Sequence, residues 1–174
     1  MMETDSVAVR LTPTLTDEER QQLFGWRPDV FATDPLGLTW KRKDVHAVVT
    51  VDGRIASHAG CVEREATVAG QPVRLGGVGG VVTRPEWQGR GLARLALEHI
   101  FTYLCRELGA EFGALFCREP LVAFYAHAGW RRIDAPVTVD QPSEPIVAPL
   151  PFMVCPCADR AWPAGPINLN GLPF

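Results

Sequence analysis

The stretch that most constrains this chain is Thr83-Arg84-Pro85-Glu86-Trp87-Gln88-Gly89-Arg90-Gly91-Leu92-Ala93. There an apolar strand pattern passes through a glycine-rich turn directly into a helical one. Leu75 to Val82 is small, apolar and β-branched, which predicts a strand. Leu92, Leu95, Ala96, His99, Ile100, Tyr103 and Leu104 recur at the spacing of one helix face, which predicts a helix over Arg90 to Leu108 closed by Gly109. The mouth of a helix carries unpaired backbone N–H groups and the positive end of the dipole, so it holds anions. Gly89 and Gly91 let the main chain approach a phosphate closely, and Arg84, Arg90 and Arg94 add positive charge. The segment therefore reads as a seat for a pyrophosphate.

Two nucleotide fingerprints fail on residue identity. A dinucleotide loop needs G-x-G-x-x-G, and Gly89-Arg90-Gly91-Leu92-Ala93-Arg94 ends in Arg. A Walker loop ends in G-K-[ST], which is absent. The pattern that matches is Q/R-x-x-G-x-G/A, as Gln88-x-x-Gly91-x-Ala93, placed after an apolar strand and before an amphipathic helix. In this the chain resembles the GCN5-related N-acetyltransferases (GNAT). Phe124-Tyr125-Ala126-His127-Ala128-Gly129-Trp130 is similar to that family's closing motif, a Tyr followed by a Gly-aromatic pair. The order of elements most resembles the aminoglycoside 2'-N-acetyltransferases. Trp162-Pro163-Ala164-Gly165 with Asn170-Gly171 is similar to the tail of the nodulation N-acyltransferases. Both groups acylate an amine on an amino sugar.

The resemblance implies an α/β GNAT fold: a mixed, mostly antiparallel central sheet with a V-shaped splay, flanked by helices. It implies acetyl-CoA as co-substrate and a small-molecule primary amine, with an amino sugar favoured, as acceptor. A longer acyl donor and a non-catalytic acyl-CoA sensor remain as alternatives. The cofactor would lie on Val81, Val82, Thr83, Gln88, Gly89, Arg90, Gly91, Leu92 and Ala93. Residues 1–155 would form the acyltransferase domain, and 156–174 an ordered tail packed on it.

Net charge is −3, which gives a nucleic-acid partner no electrostatic support. Met1 to Ser6 lacks the basic and apolar regions of a signal peptide, and no apolar run approaches a membrane span. Cys61, Cys105, Cys117, Cys155 and Cys157 are odd in number and sit in apolar surroundings. Together these predict a cytoplasmic protein with reduced, buried thiols, monomeric or homodimeric, with no membrane or nucleic-acid partner. Cys155-Pro156-Cys157 lacks metal-ligand spacing, and so do His46, His58, His99 and His127, so no metal is expected.

Elsewhere the pattern predicts a strand at Val7 to Leu11 and a helix from Asp17 to about Phe24, with Thr16 and Glu19 as a capping box. Gly25 to Leu38 reads as an irregular loop suited to line an acceptor pocket. Val45 to Val51 and Ile55 to Ala66 read as a hairpin turning at Asp52-Gly53. Four glycines (Gly76, Gly77, Gly79 and Gly80) mark the strand before the turn and suggest close approach of a ligand, a bulge, or a strand crossing under a helix. Phe112 to Cys117 reads as a buried strand, and a short helix runs from Pro120 to Ala128. Trp130 to Val139 and Ile146 to Val154 read as late paired strands.

Acetyl transfer needs a neutral amine, N–H donors for the developing oxyanion, and a proton for the leaving thiolate. Backbone N–H groups near Val81 and Val82 suit the second, and Tyr125 matches the family's general acid. The related amino-sugar enzymes carry a Glu where this chain has Gly79, so the base is open. His58, Glu63, Glu65 and Asp34 are the candidate substitutes for it, and Asp34, His58, Gly79, Gly80 and the carboxylate of Phe174 are candidates for the acceptor side. A base is dispensable if the acceptor loses its proton through water.

Overall fold

The computed structural model describes residues 4–174. Met1 to Glu3, the start of the polar N-terminal run, lie outside the described residues. In chain order the strands are β1 (Val7–Thr12), β2 (Val45–Val51), β3 (Arg54–Val68), β4 (Gln71–Thr83), β5 (Phe112–Phe116), β6 (Arg131–Arg132), β7 (Val137–Val139), β8 (Ile146–Val147), β9 (Phe152–Pro156) and β10 (Ile167–Asn168). The helices are α1 (Asp17–Phe24), α2 (Leu92–Arg106) and α3 (Val122–His127).

The local rules read from the sequence act at the element ends. Thr16 accepts from Glu19 N–H (3.1 Å) and Glu19 accepts from Thr16 N–H (2.8 Å), a complete capping box on α1. Asp52-Gly53 and Ala69-Gly70 are both left-handed at each residue, as tight hairpins with right-handed strand twist require. They join β2 to β3 and β3 to β4, antiparallel pairs that form the middle of the sheet.

One sheet contains the ten strands of the described residues, in the order β6-β9-β5-β4-β3-β10-β7-β8, with β2 also paired to β3 and β1 to β2. Most pairs are antiparallel, but β4–β5 and β10–β7 are parallel. β4 and β5 pair only over Leu75–Val78 and Phe112–Leu115, and from there they part. This is the splay expected of the fold. It leaves Gly79 to Thr83 without a partner on the β5 side.

The two faces of β4 explain its glycines. On one face α2 buries Leu92, Ala96, Leu97, Ile100 and Leu104 against Ala47, Val49, Ala59, Cys61 and Val78. A Cβ on Gly76 would stand 2.7 Å from Leu104, so helix packing excludes one there. The opposite face is closed by Phe112, Phe152, Ile167, Leu169 and Phe174. A Cβ on Gly77 would lie 2.3 Å from the Phe174 ring. Two of the four glycines thus serve packing rather than a ligand.

Four expectations change. Helix α2 begins at Leu92, not Arg90, because Gly91 is left-handed (φ 76°) and stands as its N-cap. The late strands form two separate pairs, β6 with β9 and β7 with β8, since Pro136, Pro149 and Pro151 interrupt both runs. The segment after Pro156 does more than lie on the body: Ile167-Asn168 enters the sheet between β3 and β7. Cys157, which follows β9 and donates its N–H to the Glu111 carbonyl, lies at the end of α2 and forms a disulfide with Cys105. The thiols are therefore not all reduced; Cys61, Cys117 and Cys155 are free.

Candidate active site

The turn after β4 has the geometry an anion site needs. Gly89 and Gly91 both have φ 76°, and the positions of their absent Cβ atoms open onto space with no protein atom within 4 Å. No side chain caps α2 and no acidic residue stands in its first turn. Its first main-chain bond runs from Leu95 N–H to the Gly91 carbonyl (3.0 Å). The N–H groups of Leu92, Ala93 and Arg94 thus have no main-chain acceptor among the described residues. Gln88 closes the turn by donating from Nε2 to the Thr83 carbonyl (3.1 Å). Trp87 is buried beneath, with the Arg90 guanidinium 4.9 Å from its ring and paired to Asp5 (2.8 Å). Buried Nε atoms of Arg84 and Trp87 Nε1 lack partners within the described residues.

Just upstream, β4 carries a bulge. Ser57 and His58 of β3 face Thr83 and Val82, but Gly60 faces Gly79, so β4 holds one extra residue. Gly80 takes φ 64° there. A side-chain chain fixes this shape. The Gly80 carbonyl can only accept, so His58 donates from Nδ1 (2.6 Å) and its Nε2 accepts from His46 Nδ1–H (2.8 Å). Ser57 Oγ donates to the Val82 carbonyl (2.8 Å). Both ring nitrogens of His58 are thereby engaged, and the residue is 1 % exposed.

Burial lowers the pKa of both histidines, that of His58 to about 3 despite the opposing pull of the Gly80 carbonyl. The pair is neutral in the folded state. An unfolded histidine takes a proton near pH 6.5. Above that pH the contribution of the pair to stability is complete. As pH falls from about 6.5 toward 3, the unfolded chain gains protons that folded His58 refuses, and stability drops by up to about 1.4 kcal/mol per pH unit. We expect the melting temperature to fall between pH 7.5 and 5.5, with a smaller fall in His58→Gln. Parallel curves for the two proteins would contradict the assignment.

A side chain that the sequence reading passed over lies beside the bulge. Lys43 extends across Gly60 and Gly79, which face each other on β3 and β4. A Cβ on Gly60 would stand 2.6 Å from its Cγ, and one on Gly79 would stand 2.6 Å from its Cε and 3.0 Å from its Nζ. The ammonium donates to the Lys41 carbonyl (2.9 Å). Burial pushes its pKa down to about 8. The signal available in the sequence was the pair of glycines, which only the strand register brings together.

Tyr125 sits on α3, 6 % exposed, in the apolar cluster that includes Val78, Leu115 and Cys117, with Val81 packed against it. Its ring lies edge-on to Phe124 and Trp130. Burial pushes the phenol pKa up, so the proton stays on Oη through the neutral range. Phe174 is buried over Gly77, and its main-chain carbon would be 2.8 Å from a Cβ on Gly79. His58, Gly79, Gly80, Lys43 and Phe174 therefore come together. Asp34 does not join them: it is exposed on a short 3-10 turn, Asp34–Leu36, bordering a separate cleft of about 360 Å³ with Phe31 and Trp40. Glu63 and Glu65 are exposed farther along β3. Among the described residues no three His, Cys, Asp or Glu side chains are grouped to hold a metal. No helix there is long and apolar enough to cross a membrane.

The acetyltransferase (GNAT) domain profile matches residues 14–133. This chain is a GNAT acetyltransferase. An aminoglycoside 2'-N-acetyltransferase of Mycolicibacterium fortuitum is 27% identical over 135 residues, covering 76% of this chain and 68% of that protein. A GNAT family N-acetyltransferase from Escherichia coli, solved with CoA, superposes with a TM-score of 0.67 at 17% identity, over 97% of this chain and 92% of the other. A GNAT acetyltransferase from Brucella melitensis, solved with acetyl-CoA, gives 0.55 at 14% identity, over 92% and 94%. At those identities the two structures speak for the GNAT fold alone. That fold puts the glycine turn, the bulge and the parted end of β4 of this acetyltransferase at one place in the sheet.

Proposed function

We propose that this protein transfers an acetyl group from acetyl-CoA directly to a primary amine of a small molecule, with an amino sugar as the favoured acceptor. The observation that carries the reading is the uncapped mouth of α2 at the end of β4, where the strand has parted from β5. Its left-handed glycines and orphan N–H groups fit a pyrophosphate, with Gln88 to Ala93 as its holders and Val81 to Thr83 lining the adjoining strand edge. Bound there, acetyl-CoA supplies an activated acetyl thioester. The backbone N–H groups near Val81 and Val82 serve as donors toward the thioester oxygen. Tyr125 holds a proton on Oη and gives it to the leaving sulfur.

The favoured acceptor class rests on the Mycolicibacterium relative, whose name states an aminoglycoside 2'-N-acetyltransferase. Gly79 and Gly80 form the floor on the acceptor side, and the neighbouring His58 supports the bulge rather than meeting the amine. Use of acetyl-CoA supports a cytoplasmic location, where the Cys105–Cys157 pair meets a reducing thiol pool. The catalytic unit spans 1–155, and the 156–174 segment packs on it and brings Phe174 to Gly77 and Gly79.

The test is thiol release from acetyl-CoA with glucosamine, an aminoglycoside, a polyamine and an amino acid amide. Amine-dependent release is expected, fastest with an amino sugar. CoA binding without release for any of them would make the protein an acyl-CoA-binding protein instead.

A further inference from the structure

We propose that Lys43 is the general base of this acetyltransferase, taking the proton from the incoming amine at the place where the related enzymes hold a glutamate. The inference rests on the acetyltransferase reading above. Each nominated side chain is disposed of by its position, while the end of the main chain at Phe174 stands beside Lys43 over Gly79. Gly79 carries no side chain. Both nitrogens of His58 are bonded within the protein. Glu63, Glu65 and Asp34 are exposed and lie away from the bulge. Lys43 remains, and the sheet is built to receive it. Two glycines paired across β3 and β4 form a flat strip, and the lysine stem occupies the volume two Cβ atoms would fill. Its Nζ therefore reaches Gly79, one residue before the left-handed Gly80.

The protonation chemistry agrees with this position. The groups facing Lys43 are Cys61 and His58 on β3, His46 on β2, its neighbours Lys41 and Asp44, and the end of the main chain at Phe174, which meets it over Gly79. The histidines are neutral, and burial keeps the Cys61 thiol protonated by raising its pKa to about 12. Of the neighbouring side chains Asp44 alone is left to hold the ammonium charged, and burial outweighs it. A pKa of about 8 leaves roughly a tenth of the amine neutral at pH 7, the range to which buried catalytic lysines are tuned. Neutral Lys43 keeps one N–H on the Lys41 carbonyl and turns its lone pair outward. It removes one proton from the acceptor ammonium, becomes an ammonium itself, and returns that proton to water after transfer. The acceptor nitrogen, now neutral, forms the N–C bond as the C–S bond breaks and Tyr125 protonates the sulfur, and the second proton, shed by the acylated nitrogen, returns to the Tyr125 phenolate.

Three measurements separate this role from a structural or charge-recognition one. First, competitive labelling of the wild-type protein with acetic anhydride, read by mass spectrometry, is expected to half-label Lys43 near pH 8. Labelling only above pH 10, the ordinary lysine range, would overturn the proposal. Second, Lys43→Met and Lys43→Arg are both expected to lose about 10²-fold in kcat with glucosamine and to lose the acidic limb of the pH profile near 8. Activity retained by Lys43→Arg would assign the residue to holding an anion. Third, methoxyamine, unprotonated at neutral pH, needs no base, so both variants are expected to match wild type with it. An equal loss with both amines would mark a structural role. If wild-type protein acetylates neither amine, the acetyltransferase reading itself fails, while the labelling still decides the state of Lys43.

Discussion

Gly91→Val is expected to weaken CoA binding by on the order of 10²-fold while leaving the fold in place. At φ 76° a β-branched L residue pays about 1–2 kcal/mol of backbone strain, roughly a tenfold loss if the turn must keep its shape to bind. The new side chain also projects into the open space above the α2 mouth, because nothing in the protein lies within 4 Å of its Cβ. That second effect blocks an approaching phosphate and accounts for the further tenfold. Gly70→Ala provides the control. It imposes the same kind of strain at φ 78° in the β3–β4 hairpin, equally free of neighbours within 4 Å. Its CoA affinity is expected to equal that of wild type. A Gly91→Val protein that binds CoA as wild type does would remove the turn from the site.

Tyr125→Phe is the second large effect, expected in kcat rather than in binding. The change deletes only the hydroxyl and keeps the ring against Phe124 (5.0 Å) and Trp130 (6.4 Å). Loss of a positioned general acid costs about 10²–10⁴-fold in rate. Steady-state thiol release should fall by that range, with CoA affinity unaltered. Because burial raises the phenol pKa, the wild-type rate should show no alkaline limb from this residue below pH 10. Equal kcat values for the two proteins would leave Tyr125 as a packing residue at the end of α3.

Much of this was legible in the sequence, for reasons that can be located. Local signals held: the Thr16–Glu19 capping box, the Asp52-Gly53 hairpin and the apolar stripe of α2 each involve residues within a few positions of one another. The start of α2 shifted to Leu92 because a left-handed Gly91 ends the preceding turn, a conformation that periodicity does not report. Long-range pairings were not legible. Cys105 and Cys157 are 52 residues apart, and their meeting depends on how β9 pairs beside β5. The purpose of the β4 glycines was hidden for the same reason. What excludes side chains at Gly77 and Gly79 is Phe174 and Lys43, brought there from 97 and 36 residues away in sequence. Lys43 itself lies in an aperiodic stretch before β2, where no pattern distinguishes it from a solvated lysine.

The central claim is that the main-chain amides of residues 88 to 93 hold the pyrophosphate of the coenzyme. Isothermal titration calorimetry with CoA, and in parallel with pantetheine, which lacks that group, tests it most directly. The account predicts one CoA bound per chain and pantetheine bound at least 10²-fold more weakly. No heat with CoA, or equal affinity for the two, would contradict it.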